Sequence, residues 1–427
     1  MSTIRYGTED LIPKLQPLEP PFRLEQGWYQ WNTSRLQQKL EEQKLDGVLL
    51  ENVWNIIYFS GLFHTQTERP FWLFIPAKGK PVFFCPALDR DLVETWWIDE
   101  YEWYFDYPHH GPFNQIVYEY GPPVDLHQWM LERLAARGYR SSVLGLDWEL
   151  TLDLQRKMQA VLPQVTFKTV RDVCLKMRMI KSPQEIELLQ KAVAIQDHLL
   201  EYGRALILNT GWDVTDFDIQ HEIKRYGTHL LLSWMELDGK PHNGVGIDFW
   251  ITCRAGASTA YPHPNQFYYH KISKGDSIQL AGFVHLGGYV GEGYRAMQTY
   301  PISDLQKRVW EVHTKMAELQ CELSVAGTPC NVIASRVLKF ARDAGMEEYI
   351  YHRPAHGIGM EGHQQPCISL GDETILEEGM VISNEPGLYS PRHGWGYNHS
   401  NTILVTEERG VLLNKVPMTK EWCWIDV

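Results

Sequence analysis

Tyr351-His-Arg-Pro-Ala-His-Gly-Ile-Gly359 and, about thirty residues later, Ser383-Asn-Glu-Pro-Gly387 carry the most telling chemistry in the chain. The first stretch sets His356 on a glycine-flanked turn. The second sets Glu385 immediately before a Pro-Gly turn, a pair of residues that ends regular structure. An imidazole and a carboxylate on such turns can serve acid–base chemistry or hold a metal. The rest of the chain has to decide between the two.

At 427 residues the protein has room for two domains, each with a sizeable core. Apolar residues make up 44% and charged residues 22%, the balance of an ordinary folded protein. A net charge of −13 argues against nucleic acid or an anionic membrane face as the main partner. No run approaches the ~18 apolar residues of a membrane span, and the first ten residues lack an apolar leader. The seven cysteines are scattered and never spaced C-x-x-C, which reads as reduced thiols in a cytoplasmic protein. Aromatic residues crowd into Thr95–Tyr107, a packed sheet or dimer surface, with a wall for a cationic ligand as the other reading.

Strands alternating with helices predict an α/β domain over residues 1–175. Within it, residues 1–25 read as a Pro-rich arm, and the capping-box spacing of Ser34–Gln37 predicts a helix through Leu45. Pro70–Ile75 and Pro81–Cys85 read as two tightly joined strands. A second domain, 176–427, opens at Ser182-Pro-Gln-Glu185, where a Ser cap, a first-turn Pro and a Glu three residues on start a helix. Further helices are predicted near Leu305–Cys321 and Asn331–Ala344. Between and after them lie hairpin-like stretches, so helices flank an antiparallel sheet.

These motifs, in this order and spacing, resemble the pita-bread fold hydrolases: methionine aminopeptidase, prolidase, aminopeptidase P and creatinase. The resemblance implies a creatinase/prolidase-like N-terminal domain followed by an α+β pita-bread domain with a curved antiparallel sheet. In the peptidases of the family Asp, Asp, His, Glu and Glu hold two divalent metals. The matching positions here read Ala281, Glu292, His356, Glu385 and Ser400. An alanine donates nothing and a serine only a hydroxyl, whereas two hard cations need several carboxylates.

Creatinase works without metal and also lacks these ligands, so the resemblance favours a metal-independent, cofactor-free enzyme cleaving a C–N bond of a small zwitterion. Hydrolysis, elimination and cyclisation all stay open. In the creatinase pattern His263, in Ala255–His263, becomes the proton carrier, with His356 and Glu385 also catalytic. Substrate contacts are expected from Glu292, Tyr294, His363 and His399, and from Arg69, which in creatinase reaches the partner subunit's site of a homodimer. Bland readings stand beside each of these: His263 as a surface imidazole, His356 as a structural tie, Arg69 as a solvated cation. Tyr294 and Cys367 stand where creatinase has substrate-binding residues, which makes creatine itself a poor candidate. Two other functions compete: a peptidase or lyase with one divalent metal at Glu292, His356 and Glu385, and a non-catalytic binding protein of the same fold.

Overall fold

The computed structural model describes residues 7–105, 125–235, 245–263 and 269–426. The chain forms two compact units, Leu24–Arg178 and a second made of Met179–Val427 together with Met1–Arg23. The division therefore falls at 178/179, and the amino-terminal arm belongs with the second unit rather than with an N-terminal domain of 1–175. Its anchor is chemical: Phe22 is fully buried in the second unit's core, and Lys191 Nζ donates to the Pro21 carbonyl at 3.0 Å. Residues 1–6 lie outside the described residues.

The described residues of unit 24–178 form six strands: β1 (Gly47–Leu50), β2 (Trp72–Pro76), β3 (Val82–Pro86), β4 (Glu100–Tyr104), β5 (Val143–Leu146) and β6 (Thr166–Thr169). They run in the order β4-β3-β2-β1-β5-β6, antiparallel at β1/β2 and β2/β3 and parallel elsewhere. Among the described residues they are accompanied by helices α1 (Gln26–Glu42), α2 (Val53–Ser60), α3 (Arg90–Glu94), α4 (Leu126–Ala136), α5 (Leu152–Val161) and α6 (Arg171–Met179). The helix expected to open at Ser34 starts eight residues earlier. Trp28, Tyr29, Leu36 and Leu40 continue one buried stripe upstream, and the Ser34 hydroxyl turns back onto the Gln30 carbonyl at 2.9 Å as a mid-helix residue. In the aromatic run, Trp96 and Trp97 both donate their indole N–H to the Ser60 carbonyl at 2.7 Å. Its last two residues, Asp106 and Tyr107, lie outside the described residues.

The second unit begins as its sequence predicts. Ser182 and Glu185 form a reciprocal capping box at the start of α7 (Pro183–Thr210). After α8 (Asp216–Met235) comes an antiparallel meander, β7 (Asp248–Ala255), β8 (Ser277–Leu286) and β9 (Tyr289–Thr299). Then follow α9 (Asp304–Leu323), α10 (Cys330–Asp343) and the short strands β10 (Ala355–Gly357), β11 (Gln364–Ile368), β12 (Val381–Ser383), β13 (Leu388–Ser390), β14 (Trp395–Tyr397), β15 (Thr402–Val405) and β16 (Gly410–Leu412). The chain closes with α11 (Lys420–Cys423) and β17 (Trp424–Ile425), which pairs with β9.

One face of the meander meets α7 at very close range. A Cβ on Gly291 would sit 2.4 Å from the Ala192 and Val193 backbone, so glycine lets helix and strand touch. Period-2 alternation sends Ile278, Leu280, Val284 and Met297 into the same core. The opposite face carries Glu292, Tyr294, Ala281 and Phe283. A second sheet, β11-β10-β12-β15-β16, joins this face through reciprocal backbone bonds between Tyr294 and Ser400, at 3.0 and 3.1 Å.

Candidate functional site

The site forms where the two sheets meet. On β9, Glu292 faces away from α7 and is fully buried. On β10, the His356 backbone N–H donates to Ser383 Oγ, and the Glu385 backbone N–H donates to the Pro354 carbonyl at 3.1 Å. Helix α9 braces this segment from behind. Gln320 Nε2 donates to the Ser383 carbonyl, and Asn384 Nδ2 donates to the Ala317 carbonyl. The two turns that stood out in the sequence thus lock His356 and Glu385 side by side.

His356 Nδ1 lies 3.0 Å from the Gly357 carbonyl, to which it donates, so Nε2 is the nitrogen turned to the cluster. That Nε2 faces Glu385 Oε1 at 2.9 Å, a charge-pair distance. The His363 ring stacks on His356, centroids 3.7 Å apart. One donor atom from each of His356, His363 and Glu385 lies within 4.8 Å of the others. Glu292 borders this trio: Ser400 Oγ donates to its Oε1 at 2.6 Å, while its buried Oε2 has no partner among the described residues.

Burial opposes a charge on each of these groups, and their mutual fields decide where it settles. For Glu292, burial and the neighbouring Glu385 push the carboxyl up to about 8, so it holds a proton at neutral pH. Burial would also raise Glu385, but the His356 imidazole holds it below the usual carboxylate range. Burial would lower His356, but Glu385 and Glu292 override it and lift the ring to about 9. His363 is pushed down to about 4 by burial and by His356, so it is neutral and free to ligate.

These residues fit one divalent ion. Two imidazoles and a carboxylate are the donor set of mononuclear zinc, iron or manganese sites, and the buried Glu292 Oε2 beside them lacks a hydrogen-bond partner among the described residues. A second ion has no such support, because position 281 offers a methyl group and the Ser400 hydroxyl is spent on Glu292. The trio that converges includes His363, which the sequence suggested as a substrate contact, in place of Glu292.

The other expected residues fall in different places. Tyr294 is buried on the same strand face as Glu292, two residues on. His263 stands exposed, close enough to act electrostatically on His363. His399 is fully buried in a different cluster, where it accepts from the Ala296 N–H and packs on His313 and Trp310. Arg69 lies in the other unit, where it pairs with Glu68 at 2.8 Å. One residue was missed altogether. Arg254, buried on β7, donates to the Ser258, Tyr261 and Pro262 carbonyls and to Gln279, tying down the turn that leads to His263. An arginine inside an apolar strand was the available signal.

Residues 187–407 match the metallopeptidase family M24, and residues 33–180 match the creatinase/prolidase N-terminal domain. The chain is 27% identical over 365 residues to the Xaa-Pro dipeptidase of Lactobacillus delbrueckii subsp. lactis, covering 84% of this chain and 90% of that protein. It is 24% identical over 397 residues to the creatinase of Bacillus sp. (strain B-0618), covering 91% and 90%. In fold it is similar to the prolidase of Thermococcus sibiricus, with a TM-score of 0.74 at 20% identity over 93% of this chain and 99% of that one. Dipeptidase relatives, a metallopeptidase family and a convergent His/His/Glu cluster together overturn the expectation of a metal-independent, cofactor-free creatinase-like enzyme. With its second unit built on the pita-bread fold and a family match over more than half its length, the chain belongs to metallopeptidase family M24 and carries a creatinase/prolidase N-terminal domain.

Proposed function

We propose that this protein is a metal-dependent dipeptidase of the Xaa-Pro type that works with a single divalent ion. One observation carries the reading: His356, His363 and Glu385 place three donor atoms within 4.8 Å of one another. The dipeptidase relatives supply the substrate class. When bound, the ion would polarise the scissile carbonyl and lower the pKa of a water molecule. The chain's own residues do the rest. Glu292 holds a proton beside the cluster, oriented by the Ser400 hydroxyl, and can lend it to a departing amine. His263, on a loop pinned by Arg254, is positioned to carry protons to solvent. Gly357 fixes the His356 ring so that Nε2 stays on the Glu385 side.

Two assembly features belong to the same reading. A homodimer would let Arg69 of the other subunit bind the substrate carboxylate, and light scattering with an Arg69→Ala variant tests this. The seven free cysteines, together with the lack of a described helix long and apolar enough to cross a membrane, are compatible with a cytoplasmic setting.

The experiment is metal depletion followed by titration of Mn, Co, Fe or Zn against Ala-Pro, Leu-Pro and Phe-Pro. Expected is proline release that requires metal and saturates at one ion per chain. Full activity in the chelated protein, or no hydrolysis with any ion, overturns the proposal.

A further inference from the structure

Tyr202, Tyr289, Tyr389 and Tyr397 are all buried in the second unit, and each hydroxyl meets a polar side chain at 2.7 to 3.0 Å. A buried phenol ordinarily finds such a partner. Tyr294 departs from this pattern. It is only 8% exposed, yet among the described residues no hydrogen bond holds its phenol. Leaving a buried hydroxyl unmatched is costly, so a free O–H at this depth points to a guest.

Register places that phenol. Thr252, Ala281 and Tyr294 are successive partners across β7, β8 and β9, and a bridge from Tyr294 to Ser400 carries the row on. Directly opposite residues share a face, and this is the face that holds Glu292. Exposed Trp250, Phe283 and Glu292 make the neighbouring row, and the Tyr294 ring meets Phe283 edge-on at 5.9 Å. Tyr294 therefore stands between the two positions, Ala281 and Ser400, that bring no carboxylate, and the Ala281 methyl leaves room for its ring. Its phenol lies in the fields of Glu292, Glu385, Arg254 and Tyr389. Burial first, then the two carboxyls, keep it protonated far above its usual range, so it is a neutral donor.

We propose that Tyr294 is a catalytic residue whose phenol donates a hydrogen bond to the scissile carbonyl oxygen as that oxygen becomes a tetrahedral oxyanion. The proposal rests on the dipeptidase reading above. Where only one ion fits, a fixed O–H shielded from water is a strong additional stabiliser of the growing charge. Water adds to the carbonyl carbon and gives up a proton through His263, while the π pair settles on oxygen. The pair returns as the C–N bond breaks and the amine takes the Glu292 proton, which the new carboxylic acid then restores. Tyr294 keeps its own proton throughout.

The test is Tyr294→Phe, which removes one oxygen and keeps the ring against Phe283. In the metal-loaded protein kcat for Ala-Pro should fall by about 100-fold or more, the scale of one lost oxyanion donor. KM should stay nearly unchanged, and the metal content should stay at one ion per chain. Calorimetry gives a readout apart from turnover. A phosphinic analogue of Ala-Pro, which carries a tetrahedral oxyanion in advance, should bind the variant about 100-fold more weakly than wild type. A ring that merely fills the space beside Ala281 would lose nothing, so an unmoved kcat or an unmoved affinity for the phosphinate overturns the proposal. If wild type hydrolyses no dipeptide, the dipeptidase reading fails by itself, and the phosphinate still decides the phenol. Weaker binding by Tyr294→Phe then supports it, and equal or absent binding overturns it. Because the phenol bonds nothing in the protein, the variant should melt no lower than wild type. A clearly lower Tm, or failure to fold, would make the hydroxyl structural and overturn the assignment.

Discussion

Two pairs of packed histidines among the described residues of the second unit behave in opposite ways. His356 and His363 stack at 3.7 Å, and the His313 and His399 rings meet at a tilt of 33°, centroids 4.4 Å apart. The second pair is tied to backbone. The His399 N–H donates to His313 Nε2 at 2.7 Å, and His313 Nδ1 donates to the Trp310 carbonyl at 3.2 Å. Burial drives His313 down to about 3 and His399 far below the usual histidine range, with Arg295 adding to the second effect. Both rings are neutral wall material. In the first pair burial acts in the same direction, but Glu385 and Glu292 reverse it at His356. Stacked imidazoles alone say little about function. The carboxylates beside them decide whether the pair can exchange protons or hold a metal.

The sharpest way to break this contrast is to remove the carboxylate. Glu385→Ala should take bound metal from one ion per chain to none by elemental analysis. It should also cut dipeptide hydrolysis by more than the roughly 100-fold that losing an outer metal partner costs. His313→Gln, by comparison, should keep the ion. If Glu385→Ala retains stoichiometric metal, the two pairs do not differ as described.

Restoring the missing donors is the next largest change. The double variant Ala281→Asp, Ser400→Glu should raise the metal content from one ion to two, because it returns carboxylates to the positions that now hold a methyl and a hydroxyl. A content that stays at one would place the limit elsewhere than in those two side chains.

The neutral pair predicts an acid-side loss of stability. His313 is neutral in the folded state down to about pH 3, whereas the unfolded chain binds the proton near its ordinary 6.5. The unfolded state therefore gains protons first, and stability falls as pH drops below 6.5. Thermal melting between pH 7.5 and pH 5 should show this decline, and His313→Gln should make it shallower. A slope identical to wild type would mean that the ring is not held neutral.

Glu292 gives the smallest effect, with the opposite dependence. Its carboxyl binds a proton up to about pH 8 when folded but only near 4.5 when unfolded, so it destabilises the metal-free protein increasingly as pH rises between those values. Glu292→Gln should raise the metal-free Tm at pH 8 by several degrees and leave it unchanged below pH 4.5. An equal shift at both pH values would point to packing instead of protonation.

Much of this was legible in residues and spacing. Ser182 and Glu185 announce a helix because a capping box is local, complete within one turn. The eleven-residue interval between Ala281 and Glu292 could be read because the family resemblance supplies that spacing, and the structure sets the two residues on adjacent strands. Ser34 misled for the same local reason: its spacing matched a cap, but the apolar stripe upstream outweighed it. The arm at residues 7–23 could not be assigned from composition, since only burial of Phe22 shows which core it joins. His363 and His399 look alike on the page, each a histidine among polar neighbours. One borders Glu385 and the other faces Trp310.

The chain alone determined the kind of scaffold and that Ala281 and Ser400 stand where the resemblance places carboxylate donors, because element type and residue identity are written in short-range pattern. Tertiary structure decided which histidines face carboxylates, which face backbone, and that an exposed tryptophan lies on the same strand face as the buried acids. Those outcomes depend on distances of a few ångströms between segments that are far apart in sequence. Electrostatic fields in a buried site change steeply over that range.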